Sequence, residues 1–394
     1  MNLYQQLTRL RRLGIWHFAV LCLISGIFLH PKAAEGQTPA KPEPDVLIFT
    51  NGDQLTGTLE RGMGDSLIFK SDLVGEITVP MDKVKELRSS GKFAMMKKTD
   101  KVTRTSNPPG TISYADNVVS VTSPSGTSTS AVKDMAYLVD EATYNKEVRG
   151  NPGIWYGWKG SVSGGASILR STQNGTTFNA GLTLAREIPT VSYLPTRTRT
   201  TVNVLESYGK LTTPDPPFPD SEVKTNIFHA DAEHDRYFSP RVYALVGASF
   251  DHNFSQGLNF QQIYGAGVGW TVIQRPVEEL DVKADVHYER QNFLPPTATP
   301  DLITPNQDLI GSTFAENYHR NLPAKLIFTE SGSYIQSWNN FHAYSAIMSA
   351  GLQLPVYKRF SLNVNALDNY LNNPAVGFKK NSFQFITGVL YTLP

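Results

Sequence analysis

The 394-residue chain has one cysteine, Cys22, and it falls in a segment expected to be removed on export, so disulfides and thiolate chemistry are excluded from the mature protein. An excess of charge of either sign is also missing. Lys plus Arg number 36 against 35 Asp plus Glu, a net charge of +1, which marks the chain for neither nucleic acid nor an anionic surface. What is present is aromatic and turn-forming: 17 Tyr and 20 Phe beside 30 Gly and 25 Pro suit many short strands better than helices.

The amino terminus has the order of a secretory signal peptide. Arg9, Arg11 and Arg12 precede an apolar run over residues 13–29, followed by the small residues Ala33, Ala34 and Gly36. Cleavage after Gly36 or after Ala34 fits; a retained anchor helix is the alternative, although the run falls short of the ~20 residues that span a bilayer. The expected organisation is a signal peptide at 1–36, a Pro-, Lys- and Glu-rich linker at 37–44, a small β module at 45–141, a second linker at 142–153 and a β-barrel at 154–394.

In the module, residues 45–49 and 54–60 flank Asn51-Gly52, a strong hairpin signal, and strands at 66–71 and 76–79 lead to the apolar pair Val84 and Leu87. The rhythm returns from Lys92, with Asp100 in the place of Asp53 and Met135 with Leu138 as the closing pair. This predicts tandem SH3-like or Sm-like units at 45–90 and 92–140, with one irregular domain as the alternative. Lys97, Lys98 and Lys101 form a basic run that we read as a solvated face.

The clearest strand is 279–289. Leu280, Val282, Ala284, Val286 and Tyr288 share one parity, and Asp281, Lys283, Asp285, His287 and Glu289 the other, a period of two that a strand sorts onto opposite faces. Eleven further segments from Ile154 onward carry strand character at a spacing of about twenty residues, among them the Gly-alternating 264–270 and the acidic face His229, Asp231, Glu233 and Asp235. Connections alternate in length. Tight, proline-containing turns near 237–241, 274–278, 320–324 and 355–359 interleave with long ones at 210–221, 291–307 and 370–380. Together these predict an all-β fold, an antiparallel transmembrane barrel of about 12 strands behind the small module.

The two ionic faces are expected to line the lumen. They are rich enough in carboxylate and imidazole to raise a cation site, but they lie on the fourth and seventh strands, which are not neighbours, so no metal, cofactor or catalytic residue is assigned. Asp251 beside His252 is the candidate for a hydrolytic pair, without a second pair to support it. Trp155, Trp158, Tyr237, Tyr357 and Tyr391 are expected as an interfacial girdle.

The run 155–181, the 264–270 and 279–292 strands and the amphipathic last strand resemble the YdiY-like "salt-induced outer membrane protein" family, a barrel domain of unknown function. That resemblance implies an outer-membrane barrel without cofactor or known activity. One departure is that Tyr391 is followed by Thr392, Leu393 and Pro394, whereas such barrels end on an aromatic residue. The expected partners are outer-membrane lipid, the barrel-assembly machinery and either a periplasmic partner or a small solute. The functional expectation is a small pore with its module in the periplasm of a Gram-negative cell. The alternatives are a membrane-anchored adaptor with a filled barrel and an outer-membrane hydrolase.

Overall fold

The computed structural model describes residues 44–98, 108–150, 152–172, 174–213, 221–295 and 305–393. The expected signal peptide, all of the linker at 37–44 except Pro44, Asp100, Lys101 and the middle of the 291–307 loop lie outside them. No helix among the described residues is long and apolar enough to cross a membrane.

Among the described residues nine strands make the module: β1 (Asp45–Phe49), β2 (Gln54–Met63), β3 (Ser66–Ser71), β4 (Gly75–Pro80), β5 (Val84–Lys97), β6 (Gly110–Ala115), β7 (Val118–Ser123), β8 (Gly126–Ala131) and β9 (Met135–Asp140). The first hairpin forms where Asn51-Gly52 predicts it, with Asn51 Nδ2 donating to Asp53 at 2.6 Å and the Phe49 N–H to the Asp53 carbonyl at 2.9 Å. Both passes of the repeat carry a single 3₁₀ turn before the closing strand, at Met81–Lys83 and Val132–Asp134. The passes do not close separately. β5 pairs with β1 through its first half and with β9 through its second, and β9 pairs back onto β2, so the two repeats share one sheet.

The physical reason is a common core. Leu47, Leu67, Phe69 and Val84 from the first pass pack with Met95, Val119, Met135 and Leu138 from the second, all buried. Each such side chain contributes about 1.5–3 kcal/mol when fully buried, and neither repeat is large enough to collect that burial alone. Tyr114 sits in this core with its hydroxyl donating to the Met81 carbonyl at 2.7 Å, and burial pushes that hydroxyl's pKa up.

Twelve strands close the barrel: β10 (Trp158–Arg170), β11 (Asn174–Ile188), β12 (Thr198–Thr213), β13 (Ser221–Tyr237), β14 (Val242–Asn253), β15 (Leu258–Arg275), β16 (Glu278–Phe293), β17 (Gln307–Asn321), β18 (Ile327–Ser337), β19 (Tyr344–Tyr357), β20 (Phe360–Leu371) and β21 (Asn381–Thr392). Each pairs antiparallel with the next, and β10 meets β21 with Val162 opposite Tyr391. Apolar side chains point out. Phe178, Val246, Val268, Trp270, Phe314 and Met348 are among the exposed ones, while Gln384, Asp235 and Glu289 are buried inside.

A helical segment, Glu141–Thr143 continued by Tyr144–Arg149, joins the module to the barrel. Glu147 is buried, and its carboxylate accepts hydrogen bonds from the Thr190 N–H and hydroxyl, both at 2.8 Å. Arg197 donates back to the carbonyls of Glu147 and Val148 at 2.5 and 3.1 Å. Ala94, Met96, Val139, Tyr144 and Val148 pack against Leu194, with Tyr193 at the edge. Arg61 lies over the Tyr193 ring at 5.2 Å, and burial pushes the Tyr193 hydroxyl up to about 12. The module thus sits on the β11–β12 turn, which marks the proximal end of the barrel.

Candidate functional site

In the barrel the inward face of each strand is the odd parity from β10 to β20, as the burial of Asp281, His287 and Glu289 against the exposure of Val286 and Tyr288 shows for β16. Closing the sheet therefore divides the lumen by sequence. The arc from β12 to β16 carries Arg199, His229, Asp231, Glu233, Asp235, Asp251, Glu279, Asp281, Lys283, Asp285, His287 and Glu289. The facing arc, from β17 to β20, offers Ser331, Ser333, Ser349, Asn365 and Asn369 at matching depth. A cavity of about 500 Å³ lies between them.

The two expected clusters meet, although their strands are not neighbours. β14 and β15 intervene with small inward residues, Gly247, Ser249, Gly265 and Gly267, and long side chains reach across that low ground. Lys283 Nζ on β16 lies 2.7 Å from Glu233 Oε2 on β13. Arg199 on β12 bridges Asp235 at 2.7 Å and Asp281 at 2.9 Å, and Asp281 also accepts from Thr271 Oγ1 at 2.5 Å. Breaking such a part-buried pair from one side leaves a charge without its partner.

The Arg199 node constricts the proximal half of the lumen. Its guanidinium carbon lies 5.1 Å from the Tyr243 ring centre and 5.8 Å from that of Tyr237, and the two rings are 4.9 Å apart. Gly269 is what allows this. A Cβ there would overlap the Tyr243 ring, so the bare backbone is the seat for the tyrosine. Tyr237 is accordingly not part of an outer girdle, because its parity turns it inward; Trp155 and Tyr357 are exposed as expected.

Farther from the module, His229 lies between Asp251, with Nδ1 to Oδ1 at 2.6 Å, and Asp231, with Nε2 to Oδ1 at 3.0 Å. His287 Nδ1 lies 2.8 Å from Asp285 Oδ1 and 3.2 Å from Thr313 Oγ1. Its Nε2 has no hydrogen-bond partner and is 3.9 Å from Glu289 Oε2. Glu289 accepts from Gln261 and Gln291 at 2.5 and 2.7 Å. Among the described residues no group of three or more His, Cys, Asp or Glu side chains is placed to hold a metal ion. The Asp251 and His252 candidate pair is split, because consecutive strand residues point to opposite faces: Asp251 turns inward to His229, and His252 hydrogen-bonds to the Asn259 carbonyl on the outside.

The distal mouth is covered. The β14–β15 connection makes a short turn at Phe254–Gln256, and Gln256 Nε2 donates to the carbonyls of Asn369 and Lys380, at 2.9 and 2.8 Å. The Ala375 N–H returns a bond to the Gln256 carbonyl at 3.3 Å. These partners belong to β20 and the β20–β21 loop, six strands away in a ring of twelve, so the contact spans the mouth. Gly257, at φ +69°, fits where a Cβ would lie 2.5 Å from Ala375 Cβ, and Leu258, Phe293, Leu371 and Ala375 seal the contact. Arg199, Asp251, Tyr243 and Gln256 carry no distinguishing pattern in sequence; only the parity of the first three could have marked them as inward.

The family described as "Protein of unknown function, DUF481" matches residues 162–393, from the first barrel strand to the last. The chain belongs to that family. No curated protein matches this DUF481 chain. Among solved structures it is similar to the NanC porin, with TM-score 0.38 and 8% identity over 59% of this chain and 100% of the porin. It is also similar to an anion-selective porin from Comamonas acidovorans, with TM-score 0.30 and 8% identity over 60% and 98% of the two chains. An outer membrane channel from Pseudomonas putida F1 gives TM-score 0.35 and 10% identity over 60% and 95%. At these values the likeness does not extend to function.

Proposed function

We propose that this DUF481 protein is an outer-membrane channel for small polar solutes, with β1–β9 in the periplasm and the distal loops closing the outer mouth. The observation that carries the reading is the lumen. A barrel with an apolar exterior holds a cavity of about 500 Å³ into which Asp231, Glu233, Asp251, Lys283 and Asp285 project among apolar side chains such as Leu245 and Ile347, whereas a barrel serving only as an anchor has no need of one. Several buried inward atoms, including Asp235 Oδ1, Asn179 Nδ2 and Gln384 Nε2, have no protein partner, which suits a hydrated interior. The obstructions are side chains and one short turn, features that move without unfolding the wall. Within its family the chain would then fall with the salt-induced outer membrane proteins that it resembles.

Planar-bilayer recording of the refolded protein tests this. The wild type is expected to show unitary openings, and Gln256→Ala, which frees the turn from the Asn369 and Lys380 carbonyls, to raise the open fraction about tenfold, the effect of losing hydrogen bonds worth roughly 1.4 kcal/mol. If neither protein conducts, the barrel is not a channel.

A further inference from the structure

We infer that the lumen selects for small cations, inorganic or organic, and that the charged arc formed by β12–β16 is the surface that does so; this rests on the channel reading. The arc is not neutralised internally. Its two cationic side chains are shared among four carboxylates, Arg199 with Asp235, Asp281 and, at 4.0 Å, Glu279, and Lys283 with Glu233. That leaves Asp231 and Asp251 facing one another across His229, and Asp285 and Glu289 across His287; their other partners among the described residues are neutral donors, Asn203 on Asp231, the Thr313 N–H on Asp285 and Gln261 and Gln291 on Glu289. A cation entering the cavity meets Asp231, Asp251 and Asp285 on one side and neutral oxygen donors, such as Ser333, Ser349 and Asn365, on the other, with Glu289 buried behind His287. The second wall replaces hydration without adding repulsion, which is how rings of carboxylate and amide oxygen favour cations.

A separate observation points the same way. His287 is buried within this arc, its Nδ1 is held by Asp285 and Thr313, and its Nε2 is unpartnered beside Glu289. A buried imidazole nitrogen without a partner is the kind of group that water or a ligand completes. The size also fits. About 500 Å³ falls within the range of small-molecule pockets, so an amine-bearing solute is accommodated as well as a hydrated metal ion.

The test is the reversal potential of single channels in a tenfold potassium chloride gradient, recorded for the wild type and for the Gln256→Ala variant. A potassium over chloride permeability ratio on the order of five is expected near 0.1 M, falling toward one near 1 M as the Debye length shrinks from about 10 Å to 3 Å. Asp231→Asn combined with Asp285→Asn should bring the ratio to about one at 0.1 M. If that double variant does not refold, the ionic-strength dependence of the wild type decides alone. A channel that conducts but prefers chloride, or shows no preference at low salt, overturns the inference and leaves the channel standing. Absence of conductance in both proteins overturns the channel and the inference with it.

Discussion

The module and the barrel use the same alternation of side chains and turn it in opposite directions. In the module strand β6 buries Ile112 and Tyr114 and exposes Thr111 and Ser113; in the barrel Phe178 is 75% exposed and Gln384 is 1% exposed. Strand geometry sorts residues onto two faces but does not say which face is wet. The module has one sheet wrapped on itself, so its apolar face has only itself to meet. The barrel's closed wall turns that face outward, where only hydrocarbon can satisfy it.

The comparison breaks most readily at Phe69. Phe69→Ala should lower the stability of the module by about 3–5 kcal/mol, read as a shift in the urea midpoint of amide exchange in β3 and β5 of the full-length protein. A change under 1 kcal/mol would mean that the shared core does not hold the module together.

The exterior of the barrel answers next. Val268, 59% exposed, lies between Ala244 and Ala284 on the outer face. Val268→Arg should cost about 2–4 kcal/mol in refolding titrations into lipid vesicles, because the guanidinium is placed in hydrocarbon. The same substitution on a water-facing sheet would fall within about 0.5 kcal/mol, so a null result would place this face in water.

The smallest effect is expected inside. Gln384 accepts from Ser207 Oγ at 3.3 Å and leaves its own nitrogen unpartnered, so Gln384→Leu should change the same vesicle titration by no more than about 1 kcal/mol. A loss of several kcal/mol would show that the polar interior is a rigid hydrogen-bonded core instead of a solvated wall.

The same contrast decides how much was legible in sequence. Strand β16 is readable because all five residues at 281–289 of inward parity are ionisable, and β15 because glycine alternates with Tyr264, Ala266, Val268 and Trp270. β12, β17 and β18 are weak because their outward faces carry polar residues, Thr200, Glu206, Glu316 and Glu330, among the apolar ones. In the site, parity places His229, Asp231, Glu233, Asp235, Asp281, Lys283, Asp285, His287 and Glu289 on inward positions. It does not bring β13 to β16. That meeting depends on the width of a twelve-strand ring and on the small residues of β14 and β15, properties that no single strand contains. The cover over the distal mouth is less legible still, since Gln256 differs from any other loop glutamine only by what lies on the opposite rim.

The pairing of β10 with β21 also sets an order in time. The module can complete itself once β9 has returned to β2, whereas β10 keeps an unpaired edge until the residues that face it, Phe383 to Thr392, have arrived. Formation of the ring is therefore a late, long-range event, the slow kind by chain topology, and an incomplete barrel presents an open strand edge to any passing chain. The segment around Glu147 holds the β11–β12 turn through Thr190, so a folded module offers the sheet one anchored hairpin to build upon.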